Sequence, residues 1–431
     1  MAATVHVLHP QSSALAGFLR VGHTGHKKLL DLHAAGRFPY RRVVFDAAHL
    51  EEQIELVKSL RASGSEIVLD PNFAEMATVG RFGSSSLQKL PWANLDRPWN
   101  PADFRDRRNQ DAPKSIADFA VKAGVDAVLA PTHLLEHVND AWWSADLRLC
   151  EALRRELDNC GGSNIAIDYQ VITTNTLLKD SANRGSIVAD LMSMPIENVW
   201  IRASGFGATA TGAGARHFVE SVRDLHRLGR PLVVDMAGGF AALAAAAFGA
   251  VGGLSHGTAQ KETFTAADWR EPPSGGGGNA ARAYVHELDR YFKEDQLQAI
   301  FNTKGGKSRF GCNDTKCCSH GAEDMIENSH VHFLTQRHRQ LDDLSGVPEA
   351  RRAEHFLLYH LDPAIRSARH AVRLKITDQK VLKAVSDAKV RLIRLRDALA
   401  ALHEKADAPT RSPTVRFRGG GAKAVSAVLG Q

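Results

Sequence analysis

Four aspartates, Asp46, Asp70, Asp168 and Asp235, each close a short apolar run: "RVVFD", "EIVLD", "NIAID" and "PLVVD". Carboxylates gathered at one site raise one another's proton affinity, so one holds a proton while another stays ionised. That suits acid–base work or attack on an electrophilic carbon. An aspartate so placed can also simply cap the helix that follows it. A second pattern is "RFGCNDTKCCSHG" (309–321), which holds Cys312, Cys317 and Cys318, three of the chain's five cysteines. Thiolates bind zinc, and a structural site needs four Cys or His ligands in a tetrahedron. Histidine must complete such a set, and His320, His330, His332, His338 and His355 are the candidates. The spacing lacks the C-x-x-C pair of a redox device. Neighbouring Cys317 and Cys318 are expected to point apart, which would leave one of them a packed thiol.

Eight apolar runs recur at 4–9, 42–46, 66–70, 126–130, 164–168, 198–203, 231–235 and 250–255, with amphipathic stretches such as "EEQIELVKSLRASG" between them. Strands alternating with helices imply a parallel sheet, and eight units within about 260 residues favour a (β/α)8 barrel over an open sheet. The fold class expected is therefore α/β, a TIM barrel with a C-terminal zinc-binding and helical appendage. In such a barrel chemistry sits where strands end, which places the four aspartates at one mouth. The longest loop, 71–115, either folds over a ligand or is a surface excursion. The expected divisions are a barrel over 1–265, a Pro/Gly linker over 266–283 and a zinc-binding segment with closing helices over 284–373. A long helix over 374–406 and a disordered tail over 407–431 follow. The stretch around "AYVHELDRYFKEDQLQAIF" reads as helical.

The chain has 431 residues, 44% of them apolar and 24% charged, with a net charge of +6. That is ordinary for a soluble globular protein and permits an anionic partner without requiring one. No run reaches the length of a membrane span, and "MAATVHVLHP" lacks the features of a leader, so a cytoplasmic location is the default expectation. Gly-rich backbone in "ASGFGATATGAGA" (203–215), "MAGGF" (236–240) and "SHGTAQ" (255–260) is able to hold a phosphate.

An eight-unit barrel, a Cys cluster and then a His-bearing helix resemble, in that order, the tRNA-guanine transglycosylase family across roughly residues 40 to 370. The likeness rests on "VVFDAAHLEEQ", "IVLDPNFAEMATVGRF", "IDYQ", "IRASGFGATATG" and "AEHFLLYHLDPAIRSA". It implies that Asp70 is the pocket aspartate, that Phe73 lies near an aromatic position and that Gln170, beside Asp168, contacts the base. Gly205 and Gly207 would flank that base, and His355 would be the fourth ligand of a structural Zn2+. The family's nucleophilic aspartate belongs at the end of the eighth strand, where this chain has Ser255 and His256 instead. The resemblance thus moves the nucleophile to Asp235 and leaves His256 as a substrate contact.

The function so implied is exchange of a guanine-type base in tRNA or DNA for a 7-deazaguanine. The base would be flipped into the mouth, and Arg105, Arg107, Arg108, Lys304, Lys307 and Arg309 would hold phosphates. The implied partners are a nucleic acid, a purine analogue and a second subunit, as homodimer or heterodimer, without a membrane. Two alternatives stand beside it: a non-catalytic nucleic-acid-binding or partner subunit of the same family, and a phosphate-binding barrel enzyme acting on a small sugar phosphate.

Overall fold

The computed structural model describes residues 14–105, 111–258, 261–271, 282–405 and 410–420. Eight parallel strands close into a barrel: β1 (Ala16–Val21), β2 (Arg42–Asp46), β3 (Glu66–Asp70), β4 (Ala127–Leu129), β5 (Ala166–Thr174), β6 (Val199–Ser204), β7 (Leu232–Val234) and β8 (Gly253–Gly257). Closure comes from β1, which pairs with both β2 and β8. Seven strands fall on expected runs. The eighth does not: "TVHVLH" lies outside the described residues, and β1 is "AGFLRV". Gly17 makes that strand possible, because a Cβ there would stand 2.6 Å from Leu341 Cδ2 on the helix Ser329–Gly346.

Period-two alternation sends Ala16, Phe18, Val44, Val68, Ala127, Leu129, Ala166, Trp200 and Val233 into the barrel, where they form one apolar cluster. Phe18 and Trp200 fill its centre, their rings 4.7 Å apart. The next inward layer toward the strand ends is charged, and it forms the site described below.

The tail expected to be disordered is ordered over 410–420 and seals the opposite end of the barrel. Val415 joins the interior cluster, and Phe417 lies under the guanidinium groups of Arg41 and Arg42. Arg418 bonds both oxygens of Asp168, at 2.8 and 2.9 Å, and also Glu66. Both carboxylates are fully buried. Removing one partner of a buried pair leaves an uncompensated charge, so Arg418→Ala is expected to cost about 3 kcal/mol. A urea-unfolding midpoint equal to that of the unaltered chain would count against this account.

After β8 comes a hairpin where a helix was expected: β9 (Arg282–Val285) pairs antiparallel with β10 (Arg290–Lys293), and a helix begins only at Glu294. The turn depends on Asp289 (φ 46°), whose carboxylate accepts bonds from Tyr284 Oη, Phe240 N and Arg391. Of the expected linker, residues 272–281 lie outside the described residues and Ala267–Arg270 is a short helix. The last helix, Gln379–Glu404, buries Val381, Val385, Leu392, Leu395 and Leu399. It packs so closely on the helix Gly212–Arg223 that a Cβ at Gly212 would collide with Arg394 O. Among the described residues no helix is long and apolar enough to cross a membrane.

Candidate functional site

At the C-terminal ends of the strands, two buried arginines cross between the carboxylates. Arg20, inward from β1, binds Asp235 bidentately through Nε (2.7 Å) and Nη2 (2.9 Å). Its Nη1 reaches Asp70 at 2.8 Å and Asp46 at 3.4 Å. Arg202, from β6, binds Asp235 Oδ2 through Nε at 2.9 Å and Asp70 Oδ2 at 3.3 Å. Lys261 Nζ meets Asp46 Oδ2 at 2.7 Å, and Gln170 Nε2 donates to Asp235 Oδ2 at 2.8 Å. Three carboxylates thus face three cations.

This arrangement corrects the expectation that crowding would raise a carboxylate's proton affinity. Burial does push Asp235 and Asp46 upward, but the cations outweigh it. Arg20 and Arg202 hold Asp235, and Lys261 and Arg20 hold Asp46, below the ordinary carboxylate range. The acid whose proton affinity rises is one that strand-end reasoning missed. Glu75, half-buried one turn past β3, is pushed up by burial and by the nearby Asp46 charge. It is placed by Asp70, whose Oδ1 accepts the Asn72 amide at 2.9 Å. That bond supports Asn72 in the left-handed region (φ 56°), from which the helix Phe73–Met76 starts. Asp70 therefore shapes the following turn as well as facing the mouth.

The network is graded in access. Asp235 has no exposed side-chain surface, and its oxygens are filled by Arg20, Arg202 and Gln170. Asp70 and Asp46 keep 8% and 9% of their side chains exposed, and Lys261 keeps 30%. Beside Lys261 a cavity of about 230 Å³ opens between the loop after β1 and the end of β8. Its described lining includes two lysines, Lys28 and Lys261, beside His23 and His330, and no carboxylate.

Several expected site residues lie elsewhere. Asp168 is corrected to the opposite end, because β5 runs on to Thr174 and its third residue is at the sealed floor. There it also accepts bonds from Trp200 Nε1 and Asn198. His256 faces outward from β8, bonded to Tyr40 Oη (2.9 Å) and edge-on to Phe333, so it is wall packing. Burial drives its proton affinity down to about 3. Phe73 is buried beneath the long loop, with Phe104 5.6 Å away. That loop is anchored by Trp92, whose Nε1 donates to Pro71 O, and so is not a loose excursion. Beyond Phe104 lies Trp142, stacked on His133. Burial works against the charge on His133, but Asp146 and Asp140 outweigh it and raise the imidazole to about 9.

The glycine loops have structural tasks. Gly205 (φ 84°) turns the chain after β6, and a Cβ at Gly207 would meet Glu262 O at 2.6 Å. A Cβ at Gly238 would overlap the Glu262 side chain itself, which bonds Tyr291 Oη and Arg337. The start of the helix Gly239–Ala247, where a phosphate was expected, receives the carboxylate of Asp289 instead. Of the expected phosphate-holding cations, Arg107 and Arg108 lie outside the described residues, and Lys307 pairs with Glu323.

Cys312, Cys317, Cys318 and His332 are all buried and bring one donor atom each within 4.8 Å of the others. His332 Nδ1 stands 3.5 Å from Cys317 Sγ and 3.4 Å from Cys318 Sγ, and the two sulfurs are 3.7 Å apart. Bonds of about 2.3 Å to sulfur and about 2.0 Å to nitrogen give a tetrahedron with S–S edges near 3.8 Å and S–N edges near 3.5 Å. The donor set and its edges fit a zinc-like ion. His332 Nε2 lies 2.9 Å from Tyr284 O, which fixes Nδ1 toward the sulfurs, the usual outer-shell support of a metal-binding imidazole.

Two expectations change here. His332 is the fourth donor, because the helix Ser329–Gly346 lays it against β9, whereas His355 bonds Asp343. Cys317 and Cys318 point the same way, because Asp314 O accepts both of their amides and curls the loop.

The fold defines the class: a closed (β/α)8 barrel carrying a helical appendage and a Cys3His cluster. No protein-family model matches the chain, and no curated protein matches it. Among solved structures it is similar to KGPDC from Streptococcus mutans, at 14% identity, 59% of this chain, 93% of that one and a TM-score of 0.33. It is also similar to tryptophan synthase subunit alpha from Campylobacter jejuni, at 11%, 58%, 88% and 0.33. A thermostable mutant xylanase (Xyn10A) from Cellvibrio japonicus gives 11%, 56%, 86% and 0.35. Likenesses this remote carry no assignment of activity.

Proposed function

We propose that this barrel is a transglycosylase-like enzyme that exchanges a guanine-type base in a nucleic acid, tRNA or DNA, for a 7-deazaguanine. The observation that carries the reading is the graded network: Asp70 keeps an accessible edge at the mouth while Asp235 and Gln170 are locked beneath it. Asp70 is the reacting carboxylate. One oxygen attacks the anomeric carbon, the C–N glycosidic bond breaks, and the departing base takes the electron pair together with a proton from Glu75. The incoming base returns a proton to Glu75, attacks the same carbon and releases Asp70. Asp235 acts through Arg20 and Arg202 as a positioning residue. The cavity lined by Lys28 and Lys261 suits the phosphate of a flipped-out nucleotide. The Cys3His cluster holds a structural Zn2+ that fixes the appendage.

Two observations favour a second reading, a non-catalytic partner subunit: Asp235 has no exposed side-chain surface from which to attack, and β8 ends without an acid. Incubation of the protein with tRNA or duplex DNA and labelled guanine or deazaguanine precursor separates the two. We expect incorporation by the unaltered chain and a loss of at least about 100-fold in Asp70→Ala, the range of a removed catalytic group. Incorporation unaffected by Asp70→Ala sinks the catalytic assignment, and binding without incorporation supports the partner subunit.

A further inference from the structure

A second set of metal-ligating side chains shares no residue with either the barrel mouth or the Cys3His cluster. Asp343, on the helix Ser329–Gly346, and His355 and His360, on the helical run that follows, bring their donor atoms within 4.8 Å of one another. Both imidazoles place Nε2 on the same oxygen, Asp343 Oδ2, at 2.7 Å for His355 and 2.8 Å for His360. These are hydrogen-bond lengths; the same three donors need open only to edges of about 3.3 Å to hold an ion with bonds of about 2.0 Å.

The backbone is built to produce it. Phe356–Leu361 is a π-helix set between the α-helical segments Arg352–His355 and Asp362–Ala371. Five positions along an α-helix amount to about 1.4 turns, which would send residues 355 and 360 to different sides. The wider π turn closes i to i+5 and sets both rings on one side; such turns concentrate at functional sites. The rings are also braced. His355 stacks on Tyr359 at 4.6 Å, and His360 lies against Phe356 and edge-on to Phe240. The two histidines are largely covered while Asp343 is half-exposed, so the cluster is open to water on one side.

We propose that Asp343, His355 and His360 form a second, three-donor site for a divalent transition-metal ion of the zinc class. Two imidazoles with one carboxylate suit such an ion, whereas Mg2+ and Ca2+ prefer an all-oxygen shell. Three protein donors leave a coordination position open to water, unlike the closed Cys3His cluster. The bound ion fastens the helix Ser329–Gly346 to the π turn. The site uses none of the residues assigned to the barrel mouth, so it holds or fails independently of the activity proposed there.

Metal counting on the full chain, dialysed against Zn2+ at neutral pH, tests it. We expect two equivalents in the unaltered protein and one in His355→Ala and in His360→Ala, with unchanged circular dichroism. Co2+ assigns the equivalents: the thiolate cluster gives intense sulfur-to-metal absorption in the near ultraviolet. The second equivalent adds only weaker visible bands, and these vanish in His360→Ala. A single equivalent in the unaltered protein, or two retained in His360→Ala, overturns the proposal. Should either histidine variant misfold, Asp343→Asn, near-isosteric and at a half-exposed position, gives the same loss of the second equivalent, and its retention there also overturns the site.

Discussion

Arg20→Met is expected to destabilise the protein by about 3–5 kcal/mol, because it strands buried carboxylates that this one guanidinium now ties together. The check is a urea-unfolding comparison with the unaltered chain. Arg20→Lys should recover only part of the loss, since an ammonium cannot bind Asp235 bidentately and still reach Asp70. A pH series adds a signature. Asp235 is held below its unfolded proton affinity, so its contribution to stability is complete above the ordinary carboxylate range and fades as pH falls through the folded value. Without Arg20 that contribution goes, so the gap between the two proteins should be widest near neutrality and narrow in acid. A gap independent of pH would mean that packing, not charge, is what Arg20 provides.

Loss of a metal held by the Cys3His cluster is expected to be the second large effect. Binding free energies of structural zinc in small domains run to about 10–16 kcal/mol, far more than a typical mutation changes. Here the ion would join the loop 312–318, β9 through Tyr284 and the helix bearing His332. Cys317→Ser, or treatment with a strong chelator, is expected to make the segment from 282 to 346 the first site of proteolytic cleavage while barrel fragments persist. Mass spectrometry of the digests reads this directly. His332→Ala should expose the same segment, as expected if His332 is the fourth donor. Equal protection in Cys317→Ser would mean that the three sulfurs are merely packed.

What the sequence disclosed and what it hid follow from locality. Seven strands were legible because each is a continuous apolar run, and the thiolate cluster because its cysteines are neighbours. β1 was hidden because Gly17 and Arg20 break its pattern, and both are needed for contacts to residues more than 200 positions away. The same distance hid the network at the mouth: the aspartates were visible, but nothing local says that Arg20 and Arg202 would lie between them. Asp168 was misread because "YQVITT" continues a strand that "NIAID" only begins. The histidine ligand could not be chosen by spacing, since it depends on which helix face meets β9. The glycines beside β6 and β7 read as a phosphate cradle, but the room they leave is filled by Glu262 and Asp289, which lie outside those loops.

The floor of the barrel carries a consequence for how the protein is made. Glu66 and Asp168 lie in β3 and β5; Arg42 of β2 also pairs with Glu66, but Arg418, the arginine that binds Asp168, is synthesised after every strand of the barrel. Before that segment is made, all eight strands can exist, yet Asp168 lacks its counter-charge and Val415 has not filled its place. The floor is therefore completed only after the strands above it, and a product cut short before residue 418 carries a buried acid without its cationic partner.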